Sequence, residues 1–127
     1  MDSARKRAVR EYTDAAGKGD IDKILSLVTE DFSHELLGST AVGGKRTLSE
    51  VLELVKSFSA ALASSEFIFH QMVEEGDLVA AIFSGRCQLV NGKRYDGDYA
   101  LVCSFRGDKI LTLRELVDTK LADSVLN

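Results

Sequence analysis

The stretch that decides the fold is GDLVAAIFSGRCQLVNGKRYDGDYALVCSFRGDKILTLRELVDT, Gly76 to Thr119. Apolar and polar residues alternate through Leu78–Val90, Lys93–Arg106 and Lys109–Thr119, and the breaks fall at Asn91-Gly92 and Gly107-Asp108. Period-two alternation reads as strand, and Asn-Gly between two such runs is the strongest short-range hairpin signal, because a tight hairpin turn needs positive φ at both central positions. One more run, Glu66–Glu75, ends at the turn pair Gly76-Asp77. Two-residue turns make neighbouring strands antiparallel. The second half is therefore predicted to be a four-stranded meander.

Upstream the period changes. Ala4, Ala8, Tyr12, Ala15 and Ala16 recur at helical spacing, and the pattern stops at Gly17–Gly19. Asp20 is placed to cap a second, short helix carrying Ile21, Ile24, Leu25 and Val28. Asp31–Gly38, DFSHELLG, is too short for another helix and reads as a strand leading into a loop at Gly43–Gly44. Thr47 followed by Glu50 is a capping-box signature, and Leu48, Val51, Leu52, Val55, Phe58 and Leu62 form the stripe of a third helix. Helices first and strands afterwards argue α+β. The long third helix is expected to cover one face of the sheet, and the two N-terminal helices to close the open end of the other. With no proline, no repeat and no low-complexity segment, residues 1–127 read as one domain.

Composition narrows the function. The chain is 45% hydrophobic and 28% charged with a net charge of −4, and Arg5-Lys6-Arg7 is its one basic cluster, read as a solvated helix face. A nucleic-acid partner calls for a basic stripe, and a membrane span for a much longer apolar run, so neither partner is expected. Cys87 and Cys103 each lie in an apolar run, which fits free thiols in a reducing compartment. With no apolar leader after Met1, the cytoplasm is the expected location. Two histidines and two cysteines at unrelated positions give no zinc spacing, and the phosphate-binding and nucleophile-elbow motifs do not occur. No metal or cofactor is implied.

Strand parity supplies the candidate residues. Leu111, Leu113, Glu115 and Val117 share one face of the last strand, so Glu115 is a lone acid among large apolar side chains. Burying a carboxylate is costly unless it is paired or held protonated, and such acids gather in functional clefts. A bulge turning Glu115 to solvent, or a structural ion pair with Arg114 or Arg86, is the plain alternative. Arg86 and Gln88 stand two apart on one strand face, as ligand-holding groups or as ordinary solvent-facing residues. His34 and Glu35 alternate in the short early strand, so at most one of them points into a cavity unless the strand bulges. His70, between Ile68 and Met72 in parity, reads as a core or edge histidine. Tyr12 lies on the apolar stripe of the first helix.

Three stretches carry a family resemblance over nearly the whole length. VREYTDAAGKGDIDKILSLVTEDF (Val9–Phe32) is similar to two opening helices with a Gly-Asp turn, GDLVAAIFSG (Gly76–Gly85) to a central strand, and YALVCSFRGDKILTLRELVDT (Tyr99–Thr119) to a closing hairpin. In this order they resemble the SnoaL-like polyketide cyclases and ketosteroid-isomerase-related proteins of the nuclear-transport-factor-2-like superfamily. The resemblance implies a cone-shaped α+β fold, three N-terminal helices on a curved antiparallel sheet. It places Tyr12 where the isomerases donate a hydrogen bond to the enolate oxygen. It places Glu35 at the general base, or His34 if the alignment slips by one. The second acid of the isomerase oxyanion hole falls near Ala100 or Leu101, neither of which donates from its side chain. Against the limonene-epoxide-hydrolase branch, Arg86 matches the arginine, Glu115 falls on one acid, and Gln88 replaces the other.

These readings give an acid–base enzyme without cofactor, of isomerase, cyclase, dehydratase or epoxide-hydrolase type, acting on a small apolar oxygenated molecule. Its expected catalytic residues are Glu115, Tyr12, Glu35 and His34; its expected binding residues are Arg86, Gln88, Phe32, Leu101, Cys103 and Leu113. A homodimer through the outer sheet face is expected. The rival is a non-catalytic binding or dimerisation module, since one fold hosts many functions.

Overall fold

The computed structural model describes residues 2–39 and 43–126. The elements run α1 (Ala4–Lys18), α2 (Ile21–Leu27), β1 (Val28–Leu37), β2 (Gly44–Thr47), α3 (Leu48–Ala60), β3 (Leu62–Glu75), β4 (Leu78–Leu89), β5 (Arg94–Arg106), β6 (Lys109–Leu116) and α4 (Thr119–Leu126). The helix boundaries follow from their caps. Gly19 ends α1 in the left-handed region (φ 72°), donating its N–H to the Ala15 carbonyl. Asp20 accepts from the Lys23 N–H to start α2. Thr47 and Glu50 close the reciprocal capping box of α3.

The six strands form one sheet in the order β2-β1-β6-β5-β4-β3. Strands β3 to β6 are the expected meander, each antiparallel to the next. Strand β1 pairs parallel to β6, so the sheet is antiparallel everywhere except at that seam. Strand β2, expected as loop, becomes an edge strand because Ser33 to Leu36 of β1 pair with Thr47 to Gly44. Its sequence GKRT has no apolar alternation to announce it. Helix α4 was hidden for a similar reason: the strand pattern of Lys109–Thr119 runs into it without a break. Asp118 starts it by accepting from the Leu121 N–H.

The helices do not divide between the two faces of the sheet as expected. Val9, Tyr12 and Ala15 of α1 join Val51 and Val55 of α3 in one core with Val79, Phe83, Leu101, Cys103 and Leu113 of the strands. All the large inward side chains point to this side, so both helices are drawn to it. The opposite face is left open, with Ile82 50% and Leu116 52% exposed. Two of the register shifts change parity within a strand. One, between Phe69 and Gln71, leaves His70 outside with Ile68 and turns Met72 inward. The other offsets β6 against β5 between Ser104 and Phe105, so that Ile110 and Leu113 are both buried although strict alternation separates them.

The N-terminal basic cluster is not simply solvated. The Arg5 side chain is 18% exposed. Its guanidinium donates to the carbonyls of Gly76 and Gly107 at 2.9 Å, contacts Asp77 at 3.0 Å and lies over the Phe105 ring. It ties the start of α1 to two hairpin turns at once, which fixes the tilt of the helix that carries Tyr12.

Candidate active site

Between α1, α3, α4 and the inner face of the sheet lies a cavity of about 160 Å³. Glu115 reaches it from β6, His34 from β1 and Tyr12 from α1. Parity and register bring the first two together. Glu115 stands between Leu101 of β5 and Leu36 of β1, and His34 stands beside Leu113, two residues back along β6 on the same face. The His34 Nε2 lies 3.6 Å from Glu115 Oε1. That is ion-pair range but longer than a hydrogen bond, so neither group is locked to the other. His34 is 7% exposed, and its other ring nitrogen, Nδ1, is buried without a hydrogen-bond partner among the described residues. The Glu115 side chain is 21% exposed, which leaves it reachable from the cavity.

All three tyrosines of the chain line this space. Tyr12 packs against Phe32, ring centroids 5.7 Å apart, and burial followed by the nearby Glu115 charge pushes its hydroxyl pKa far up. Tyr99 stacks on Phe83 at 5.0 Å, and its phenol is electrostatically coupled to that of Tyr95. Burial is the main cause that raises both of these phenols. At neutral pH all three are therefore protonated and act as hydrogen-bond donors. Gly85 makes room for the Tyr99 ring, since a Cβ there would sit 3.0 Å from Tyr99 Cε2. The remaining wall is apolar, built largely by Phe58, Phe67, Phe83, Leu101 and Leu113.

An acid and an imidazole, neither bound tightly to the other, face three phenol donors in an apolar cavity. That set can move a proton and stabilise an oxyanion. Among the described residues no group of three or more His, Cys, Asp or Glu side chains is placed to hold a metal, and no helix is long and apolar enough to cross a membrane.

The sequence matches the SnoaL-like domain family over residues 9–112. The chain is a member of that family. Among curated proteins, none matches it. Among solved structures it is similar to a nuclear-transport-factor-2-like protein of unknown function from Burkholderia pseudomallei, at 20% identity and TM-score 0.78, covering 94% of each chain. It is also similar to TerC co-crystallised with polyporic acid, at 18% identity, TM-score 0.81 and 98% of each chain. A third is IdmH, a candidate polyketide cyclase from Streptomyces antibioticus, at 19% identity and TM-score 0.76, covering 94% of this chain and 97% of that one. At such identities the likeness establishes the nuclear-transport-factor-2-like fold.

Within this SnoaL-like domain the candidate residues separate cleanly. Glu115, Tyr12, His34, Leu101 and Leu113 line the cavity. Phe32 and Cys103 sit in the core behind it; Phe32 steadies the Tyr12 ring, and burial holds the Cys103 thiol strongly protonated. Glu35 has the opposite parity to His34 and pairs with Arg114 at 3.1 Å outside the cavity. Arg86 and Gln88 are exposed on the outer face, because Phe83, Cys87 and Leu89 take the inward positions of β4. Tyr95 and Tyr99 were missed, although parity with Leu101 puts both on the inner face of β5. Of the core and edge readings of His70, the edge one holds: it lies exposed on β3, an outermost strand of the sheet. It contacts Ser84 at 2.7 Å, and Ser84 donates to Asp98 at 2.7 Å. In this Ser, His and Asp cluster the hydroxyl lies between the other two groups; because it donates to Asp98 it accepts from the imidazole, which therefore does not serve it as a base, and Ser84 is only 2% exposed.

Proposed function

We propose that this SnoaL-like domain is a cofactor-independent acid–base enzyme acting on a small, largely apolar carbonyl compound. The observation that carries the reading is the His34–Glu115 pair, 3.6 Å apart inside an apolar cavity among three phenol donors. A histidine serving only the core would have its ring nitrogens satisfied, whereas His34 Nδ1 is buried without a partner among the described residues. Glu115 removes a proton from the carbon next to the carbonyl, and the electron pair moves onto the oxygen. Tyr12 donates to that oxygen as charge develops. The proton returns from Glu115, or from His34, to the same or a neighbouring carbon. Isomerisation and the enolate step of a ring closure both begin this way and need no other reactant.

The test is exchange in D₂O. Incubating the protein with a panel of small ketones and enones should replace hydrogens next to the carbonyl with deuterium, seen by NMR, faster than buffer alone. A panel that exchanges no faster than in buffer favours the non-catalytic binding module. The buried free thiols Cys87 and Cys103 suit the reducing cytoplasm as the place of action.

The open outer face supports a homodimer. Ile82, Val102 and Leu116 form an exposed apolar centre. Arg86, Arg94, Glu66 and Asp96 beside it supply both signs of charge, as a self-complementary two-fold contact needs. Val102→Glu should convert a dimer to monomer in sedimentation, with the circular dichroism unchanged. A wild-type chain that sediments as a monomer at micromolar concentration contradicts the contact.

A further inference from the structure

We infer that the ligand of this cavity is a single-ring compound carrying one carbonyl or hydroxyl group, and that fused ring systems of three or more rings are excluded. The inference rests on the proposed function only in taking the same cavity as the site.

Size is the first argument. A cavity of about 160 Å³ is close to the ~150 Å³ apolar cavity that holds one benzene molecule. Three fused rings carry roughly twice the ring atoms of one, so at close packing they need about twice that space. The walls are not free to supply it. Phe83 is 1% exposed and fixed between Phe69, stacked at 4.7 Å, and Tyr99, stacked at 5.0 Å. On the helix side, a Cβ on Gly17 of α1 would already overlap Phe67 at 2.8 Å, so helix and sheet are in contact there. Buried Ala122 of α4 closes another part of the wall.

Wall chemistry is the second argument. Phe83 has its faces covered by Phe69 and Tyr99, and the aromatic rings of Phe58, Phe67, Tyr95 and Tyr99 in the wall favour a planar guest, which they meet by offset stacking or edge-on contact. The polar groups are few and gathered near Glu115, whose charge is felt by Tyr12, Tyr95 and Tyr99 alike. One oxygen on the ring can meet them; a heavily oxygenated ligand would leave polar groups against the apolar wall.

The expected size order is the reverse of what a shapeless apolar surface gives, where larger rings bury more area and bind more tightly. The experiment titrates 4-methylphenol, 2-cyclohexen-1-one and the three-ring ketone anthrone into the wild-type protein and into Glu115→Gln. Binding is followed through the NMR signals of Leu101, Leu113 and Phe83. The two single-ring compounds should shift these signals and saturate, and anthrone should leave them in place. Anthrone moving the same signals at lower concentration than 4-methylphenol would overturn the inference, as would single-ring compounds that leave them unmoved. Binding is read without turnover, so the two readings fail separately. Single-ring binding with no proton exchange on any ketone sinks the proposed function alone. Exchange confined to multi-ring ketones sinks the size limit alone.

Discussion

Glu115→Gln should lower the rate of proton exchange on an accepted ketone by about 10²–10⁴-fold, with little change in KM. Glutamine keeps the shape and the hydrogen-bonding reach of glutamate but cannot take up a proton. The loss therefore falls on the chemical step and not on binding. The position leaves little room for a substitute base. The nearest other carboxylate in sequence, Asp118, caps α4, and Glu35 is held outside the cavity by Arg114. Binding in the cavity and donation from the phenols remain, which is why activity should fall and not vanish. A variant that exchanges the same ketone at the wild-type rate would remove Glu115 from the mechanism.

Phe83→Ala should destabilise the fold by about 3–5 kcal/mol, the usual range for deleting a buried phenylalanine ring. Phe83 is the hub of the inner sheet face, stacked on Phe69 and Tyr99 and edge-on to Phe67 at 6.2 Å. Its removal joins the deleted ring's volume to a cavity that already exists, so neighbours have little reason to collapse into the gap. A domain is commonly stable by only about 5–15 kcal/mol, so the variant should sit near its unfolding threshold at room temperature. Phe83→Leu keeps most of the volume and should cost under about 1.5 kcal/mol. Urea unfolding measures both. A loss of less than about 1 kcal/mol for Phe83→Ala would mean that the ring is not packed as described.

The meander was legible because its turns are written in Gly76-Asp77, Asn91-Gly92 and Gly107-Asp108, and because one face of each strand had to be apolar. The three leading helices were legible from their caps. Strand β2 and the parallel pairing of β1 with β6 were not, since both depend on partners far along the chain. The same division holds for the cavity. Glu115 stood out as an acid in an apolar row, and parity alone could have added Tyr95 and Tyr99. Parity also grouped Arg86 with Gln88 correctly but could not say which face the helices cover. That depended on α1 and α3 packing on the same side, and it left both residues outside. The choice between His34 and Glu35 was also open to parity, since His34 shares a strand face with the buried Phe32 and Leu36 and Glu35 does not.

The central claim is that His34 and Glu115 work as one proton-transfer pair, and the double variant tests it most directly. Exchange rates are measured for wild type, Glu115→Gln, His34→Gln and the two substitutions together. Residues that act as a unit are strongly non-additive. The double variant should therefore be no slower than about the slower of the two single ones. Two losses that multiply in the double variant would show the groups acting independently, and would contradict the pair.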